Sequence, residues 1–336
     1  MGSSTAFETP GCGSEHSHPN LGQMEAGNTR PNRQAAGGGP SCAALLVNLA
    51  ANNSAAERKW RRIHTLVLGD LPTNAQVVAY RPPFDLVACI RELHEKQRIS
   101  CFISAGGDGT LNRVLNAILE VFGDHPDRPY LGAVGLGSRN NFHKSCQRTC
   151  LGVPLRIDMA KSVFSDVGRV QYMTDSGECF RYFITGASVG LKAEANLLFN
   201  LGDPVIHALK HRFLNLTILY TAITTLLTYH NQDVGIQYNG SNQMTELTNL
   251  SLTPSLTDDG YLGFDLCFAL NRIGRLKVLW DVARKRSSGR PGRISRLVQT
   301  ASLEARRPIP LATDGEVQLA RSAMFSVVRK RIAFLC

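Results

Sequence analysis

The sequence predicts an α/β chain in two parts, a parallel α/β segment over residues 41–150 and an antiparallel, β-rich segment over 151–336, preceded by a disordered arm over 1–40. Three observations predict it. Apolar strands and amphipathic helices alternate up to Leu151, beyond which strands are separated by tight-turn dipeptides. The first forty residues carry no apolar cluster able to offset the entropy of ordering.

The arm is rich in Gly, Ser, Asn and Pro and ends in Gly37-Gly38-Gly39-Pro40. It lacks the apolar core of a secretory signal. Its Cys12, His16 and His18 read as part of a spacer. Order begins at Cys42 to Val47, an apolar run suited to a buried parallel strand, and Ser54 then opens a helix through Trp60, Ile63 and Val67. A second unit follows, with a strand from Ala75 to Tyr80, Asp85 as a cap, and a helix through Leu86, Ile90 and Leu93. Strand and helix at this spacing imply right-handed crossovers, with ligands at the carboxyl ends of the strands.

The third unit, Ile103 to Phe122, runs from a strand end through Gly106, Gly107 and Gly109 into a helix. Leu111, Val114, Leu115, Ile118 and Phe122 share one face at helical spacing, and Thr110 or Asp108 is placed to cap the first turn. Glycines there permit positive φ and close approach of an anion to the helix mouth. Asp108, the only carboxylate among them, is a candidate for organising magnesium or for general base work. A further strand, Tyr130 to Val134, enters Gly135 to Ser145, a second glycine turn with hydroxyl, amide and cationic donors.

Beyond Leu151, strands are expected at Gly168–Thr174, Cys179–Ala187, Val234–Tyr238, Glu246–Thr253 and Leu262–Ala269, with Asn239-Gly240 and Asp259-Gly260 as tight turns. Helices are inserted at Leu191–Leu201, Val205–Tyr229 and Arg272–Arg286. In Leu311 to Leu319, Asp314 and Glu316 lie two apart on a strand and therefore face one side, a pairing suited to magnesium or to proton abstraction.

The formal net charge is +10, and Arg272 to Arg296 holds nine basic residues against Asp281 alone, which favours an anionic partner, either a phospholipid surface or nucleic acid. The nine cysteines are scattered, and Cys89, Cys101, Cys179 and Cys267 read as reduced core residues of a cytosolic protein. Phe213 to Tyr229 is uncharged but contains Asn215 and five threonines, which suggests a buried or interfacial helix rather than a spanning one.

The segment AGGDGTLNRVLNAI resembles the GGDGTLNEVANGL signature of the diacylglycerol kinase catalytic domain family, which includes bacterial lipid kinases, sphingosine kinases and ceramide kinases. Its GGDGT core is shared with NAD kinases and, more distantly, phosphofructokinases. GLGSRNNFHKS resembles the family's PxGTxNDFAR segment, with Gly137, Ser138, Asn140 and Phe142 at matching positions and Lys144 at the Arg. LATDGEVQL resembles its LDGE motif, and FITGASVGLKAE its FxNxAxxG segment with Thr185 in place of Asn. PSLTDDGYLGFDL resembles the PxAxxDDGxL segment in which bacterial members place a structural metal. Departures are Asn141 at the Asp of NDF, Arg113 at an acidic position, and Asn48-Leu49-Ala50-Ala51-Asn52 in place of NPxSG.

The resemblance implies a two-domain fold of the NAD kinase and diacylglycerol kinase type, with a nucleotide-binding domain over 41–150 and a lipid-substrate domain over 151–336. It implies a transferase of phospholipid metabolism that uses ATP and Mg2+ to phosphorylate a hydroxyl of a diacylglycerol, sphingoid or ceramide-like lipid. Asp108, Asp314 and Glu316 would be catalytic; Asn48, Gly106, Gly107, Gly109, Thr110, Asn112, Gly137, Ser138 and Asn140 would bind nucleotide; Asp259 would bind metal. The helix through Leu214, Ile218 and Leu219 would line an acyl-chain pocket. A cytoplasmic enzyme bound peripherally to an anionic membrane is expected, with no nucleic-acid partner and a homodimer left open. The competing readings are an NAD kinase-like enzyme and a catalytically silent lipid-binding regulatory protein.

Overall fold

Four short strands, β1 (Ala44–Asn48), β2 (Gln76–Tyr80), β3 (Cys101–Gly106) and β4 (Tyr130–Gly135), build a parallel sheet in the order β2-β1-β3-β4. The computed structural model describes residues 40, 42–52, 54–123, 128–138, 140–143, 148–201, 205–206, 213–255, 259–283 and 291–336. The arm expected over 1–40 lies outside the described residues except for Pro40, as do 207–212 of the expected Val205–Tyr229 helix and 284–290 of the basic run. β1 and β3 are buried along their whole length, as continuous apolar runs covered on both faces must be.

Helix α1 (Ala55–Gly69) covers one face through Trp60, Ile63 and Val67, packed on Leu45, Val47 and Ile103. Helices α2 (Leu86–Gln97) and α3 (Asp108–Phe122) cover the other, on Leu46, Phe102 and Leu131. Asp85 caps α2 as expected, its Oδ1 accepting from Ala88 N at 2.9 Å. Ser54 precedes α1 but makes no side-chain cap. Nor does α3 have one, since its N-cap is Gly107, and the side chains of Asp108 and Thr110 are engaged elsewhere. The chain leaves β1 for β2 on one side, and β3 lies on the other. The loops after β1 and β3 therefore part at a switch point, where open α/β sheets form their crevice.

The remaining strands are β5 (Thr149–Cys150), β6 (Val153–Arg156), β7 (Ser162–Thr174), β8 (Gly177–Phe183), β9 (Ala187–Gly190), β10 (Gln232–Tyr238), β11 (Ser241–Pro254), β12 (Leu262–Phe268), β13 (Arg293–Val298), β14 (Thr300–Thr313) and β15 (Glu316–Leu335). Helices α4 (Leu191–Leu201), α5 (Leu214–Thr228) and α6 (Arg272–Ala283) are inserted among them. Asn239 and Gly240, at φ 47° and 76°, make the tight turn between β10 and β11 that this dipeptide favours. Cys179–Ala187, expected as one strand, is two, because the backbone leaves the sheet between Phe183 and Ala187 to serve a carboxylate described below. Cys179 is exposed rather than in the core, Cys89 is half-buried, and Cys101 and Cys267 are buried. No helix among the described residues is long and apolar enough to cross a membrane.

β15 decides the architecture. It pairs antiparallel with β14 and β7, and its far end runs parallel to β4, with Ala333 opposite Tyr130. Parallel and antiparallel strands thus form one continuous sheet. Ile332, Ala333, Phe334 and Leu335 are buried there, so the last strand completes the hydrophobic core of the first segment.

Candidate active site

Three loops meet where β1, β3 and β4 end. None of Gly106, Gly107 and Gly109 has the positive φ expected of it. Their missing Cβ atoms serve close approach instead. A Cβ on Gly137 would lie 2.5 Å from Gly107 Cα, so the two glycine turns touch backbone to backbone. Gly106 O accepts from Leu136 N and Gly137 N at 2.8 and 3.1 Å, which welds the turns together. A Cβ on Gly106 would collide with Thr110, whose hydroxyl accepts from Asn48 Nδ2 at 3.0 Å across the switch point.

Asp108 reaches away from its own helix. Its carboxylate accepts from Asn141 N at 3.0 Å and Phe142 N at 3.4 Å, gripping the second turn. Asn141, the departure that removes an acid, thus contributes a main-chain donor. Asn140, at φ 46°, donates to the carbonyls of Gly135 and Gly137, while its buried Oδ1 has no hydrogen-bond partner among the described residues. Ser138 is exposed at the mouth, and Arg113 is exposed on α3.

Asp314 and Gly315, at φ 49° and 94°, form the two-residue turn between β14 and β15. The Asp314 carboxylate is buried and accepts from Asn112 Nδ2, Ile184 N, Thr185 N, Thr185 Oγ1 and Gly186 N at 2.6–3.0 Å. This is the group for which the chain breaks between β8 and β9. Asn116, one turn beyond Asn112, pairs with the main chain of Tyr182 through both ends of its amide. The helix that opens the first glycine turn is thereby fixed to the acidic hairpin. Glu316 is different. A Cβ on Gly109 would lie 2.5 Å from Glu316 Oε1, so this carboxylate rests on the first turn of α3, and among the described residues no hydrogen bond or ion pair is found for it. Asp314 and Glu316 therefore share a hairpin but not a task.

Sequence reasoning missed Lys59, whose Nζ donates to Leu136 O at 3.2 Å and Gly137 O at 3.0 Å from α1; burial holds its pKa below the ordinary value. It also missed Asn116, although an amide pair at i, i+4 on an otherwise apolar face was a readable signal. His143 lies under the second turn, and burial lowers its pKa, with Arg156 acting in the same direction and the Ala133 carbonyl and Asp108 opposing. Asp259 lies between β11 and β12. Its Oδ1 accepts from Tyr261 N at 2.9 Å, the neighbouring Gly260 N donates to Asp166, and the Arg329 guanidinium packs against Gly260. No cluster of three metal-ligating side chains occurs among the described residues, and the adjoining 256–258 lie outside them.

The arrangement is a side-chain-free cradle at a helix N-terminus with one uncommitted carboxylate beside it, a geometry suited to a phosphate group and a hydroxyl that attacks it. The class of structure is thus an α/β crevice closed by an acidic hairpin. Residues 42–170 match the family model of the diacylglycerol kinase catalytic domain. A diacylglycerol kinase of Staphylococcus carnosus is 28% identical over 64% of this chain and 69% of its own length. Diacylglycerol kinases of several Staphylococcus aureus strains are 34% identical over 30% of this chain, a match that spans 28% of their length. Two Bacillus anthracis structures, one of a diacylglycerol kinase and one of a putative diacylglycerol kinase, share the fold at 15% and 17% identity. Their TM-scores are 0.58 and 0.60, each over 88% of this chain and 97% of the other. The similarity to this kinase family expected from the three motifs holds, and so does the expected fold.

Proposed function

We propose that the chain is an ATP-dependent lipid kinase that transfers a phosphoryl group to the hydroxyl of a diacylglycerol, sphingoid or ceramide-like lipid. The observation that carries this is the meeting of Gly107 with Gly137 and of Gly109 with Glu316, which brings both glycine turns and the acidic hairpin to one point. The nucleotide phosphates lie along Gly106, Gly107, Gly109 and Gly137, where the main chain has no side chains in the way and α3 offers its free N–H groups. Ser138 serves the nucleotide from the mouth. Asn48, Thr110, Asn112 and Asn140 act by holding the loops, since their amide N–H groups and hydroxyl are already in use.

The lipid hydroxyl oxygen bonds to the γ-phosphorus as the bond to the β–γ bridging oxygen breaks and ADP leaves, and Glu316 accepts the hydroxyl proton. A magnesium ion bound with ATP would neutralise phosphate charge, and Glu316 and Asp108 are the acids that would meet it. Residues 41–150 act as the nucleotide-binding domain and 151–336 as the lipid-substrate domain of a cytoplasmic enzyme working peripherally at an anionic membrane. Incubation with labelled ATP, magnesium, a panel of lipids and NAD, followed by product identification, tests this. A labelled phospholipid is expected. Labelled NADP would make it an NAD kinase, and nucleotide binding without any product would make it a silent lipid binder.

A further inference from the structure

Helix α5 is inside out. Thr217, Thr221 and Thr225 face the protein at 0%, 3% and 2% exposure, whereas Leu216, Leu219, Ile223 and Leu227 stand outward at 49%, 55%, 50% and 51%. Hydrophobic burial would rotate such a helix the other way if water were its outer neighbour. The threonines tolerate their position because each hydroxyl donates to the carbonyl four residues back, to Phe213 O, Thr217 O and Thr221 O, at 2.8–3.0 Å. The orientation is fixed at the far end by Arg275 of α6, which donates to Tyr229 O at 2.8 Å and to Asn231 Oδ1 at 2.8 Å. Phe213 before α5 and Ile273 and Leu276 of the neighbouring α6 are exposed as well.

The geometry points to a docking face that lies in the headgroup–acyl boundary of an anionic phospholipid bilayer, with the Leu216, Leu219, Ile223 and Leu227 stripe of α5 inserted. The rim carries the charge that this occupant asks for. Residues 213–229 contain no charged side chain, and α6 beside them bears exposed Arg272 and Lys277. At 15 residues α5 is roughly 22 Å long, too short to span a bilayer and suited to lying along it. The face is also one helix from the site. α4 packs against α5, and its Asn200 donates to Gly315 O at 3.0 Å on the turn that carries Glu316. The choice of a bilayer as occupant rests on the lipid-kinase proposal above.

The test is cosedimentation of the full chain with phosphatidylglycerol–phosphatidylcholine vesicles at low salt and at about 1 M salt, where charge attraction is screened within about 3 Å. Wild type should retain most of its binding at high salt. Leu216→Glu with Ile223→Glu should lose it roughly tenfold or more, at unchanged melting temperature and unchanged turnover of detergent-dispersed acceptor. Leu216→Ser with Leu227→Ser, a milder pair, should show the same trend if the first pair folds poorly. Binding abolished by salt alone, or untouched by either pair, overturns the proposal. So does a dimer in sedimentation that the Glu pair dissociates without any vesicle binding, which would assign the stripe to a second copy. Salt-resistant vesicle binding with no turnover of any lipid would leave docking standing and remove the kinase assignment, so the two failures are distinguishable.

Discussion

Replacing Asp314 should unfold the protein more readily before it says anything about catalysis. Its carboxylate accepts five hydrogen bonds, three of them from main-chain N–H groups of Ile184, Thr185 and Gly186. A hydrogen bond to a charged group contributes about 1.5–3 kcal/mol, but the bonds are not additive and water enters the space an alanine leaves. Breaking a buried charged cluster from one side costs about 3–5 kcal/mol, which we take as the expected loss for Asp314→Ala. For a chain of this size about 2 °C of melting temperature follows each kcal/mol, so a fall of about 6–10 °C is expected in thermal unfolding followed by circular dichroism. Part of it comes from placing alanine at φ 49°. Asp314→Asn, which tolerates that φ, isolates the carboxylate and should still lose about half as much, since its NH2 would face donors. Glu316→Gln should change stability by less than about 0.5 kcal/mol while removing turnover. Equal melting temperatures for the Asp314 and Glu316 variants would refute the division of labour between the two acids.

Gly137→Ala places a Cβ 2.5 Å from Gly107 Cα and must part the two turns; we expect about 1–3 kcal/mol of destabilisation and weaker ATP binding by calorimetry. Gly109→Ala meets only the end of the Glu316 side chain, so turnover should fall with little change in melting temperature. Asp108→Ala frees the second turn and should raise the KM for ATP and lower kcat, with stability within about 1 kcal/mol, as kinetics and thermal unfolding will show. His143, with its folded pKa lowered by burial, binds fewer protons folded than unfolded. Its contribution is complete above the unfolded value of about 6.5 and is lost as pH falls from there through the folded pKa, so melting temperature should drop on acidification in wild type and less in His143→Gln.

Much of the fold was legible because periodicity reports burial. The face of Leu111, Val114, Leu115, Ile118 and Phe122, the cap at Asp85 and the turn at Asn239-Gly240 are local facts, decided within a few residues, and they came out as read. The closure of the parallel sheet by Ile332 to Leu335 was not legible. A short apolar run has no mark of its partner strand, and the pairing of Ala333 with Tyr130 depends on chain two hundred residues away. The split of Cys179–Ala187 was hidden for the same reason, since its cause is the Asp314 carboxylate at a separation of about 130 residues.

The candidate site shows the limit most clearly, because its three acids look alike in sequence and differ only in what they touch. Asp108, between glycines, had the features of an exposed base, yet its oxygens are turned to the main chain of Asn141 and Phe142. Asp314 and Glu316, two apart on one strand, satisfied the spacing rule for a shared cleft. That rule assumes both lie in regular strand, and Asp314 lies in the turn at positive φ, which sends its side chain back into the protein to collect five donors. The five donors already on the Asp314 oxygens oppose its recruitment by a substrate hydroxyl, because a donor displaced there is left without its partner. Glu316, held against Gly109 with its oxygens uncommitted among the described residues, meets no such opposition. On the proposed function the general base therefore falls to the acid with the fewest bonds, and turnover is where that assignment stands or fails: Asp108→Asn should keep measurable turnover with a raised KM for ATP, whereas Glu316→Gln should lose it.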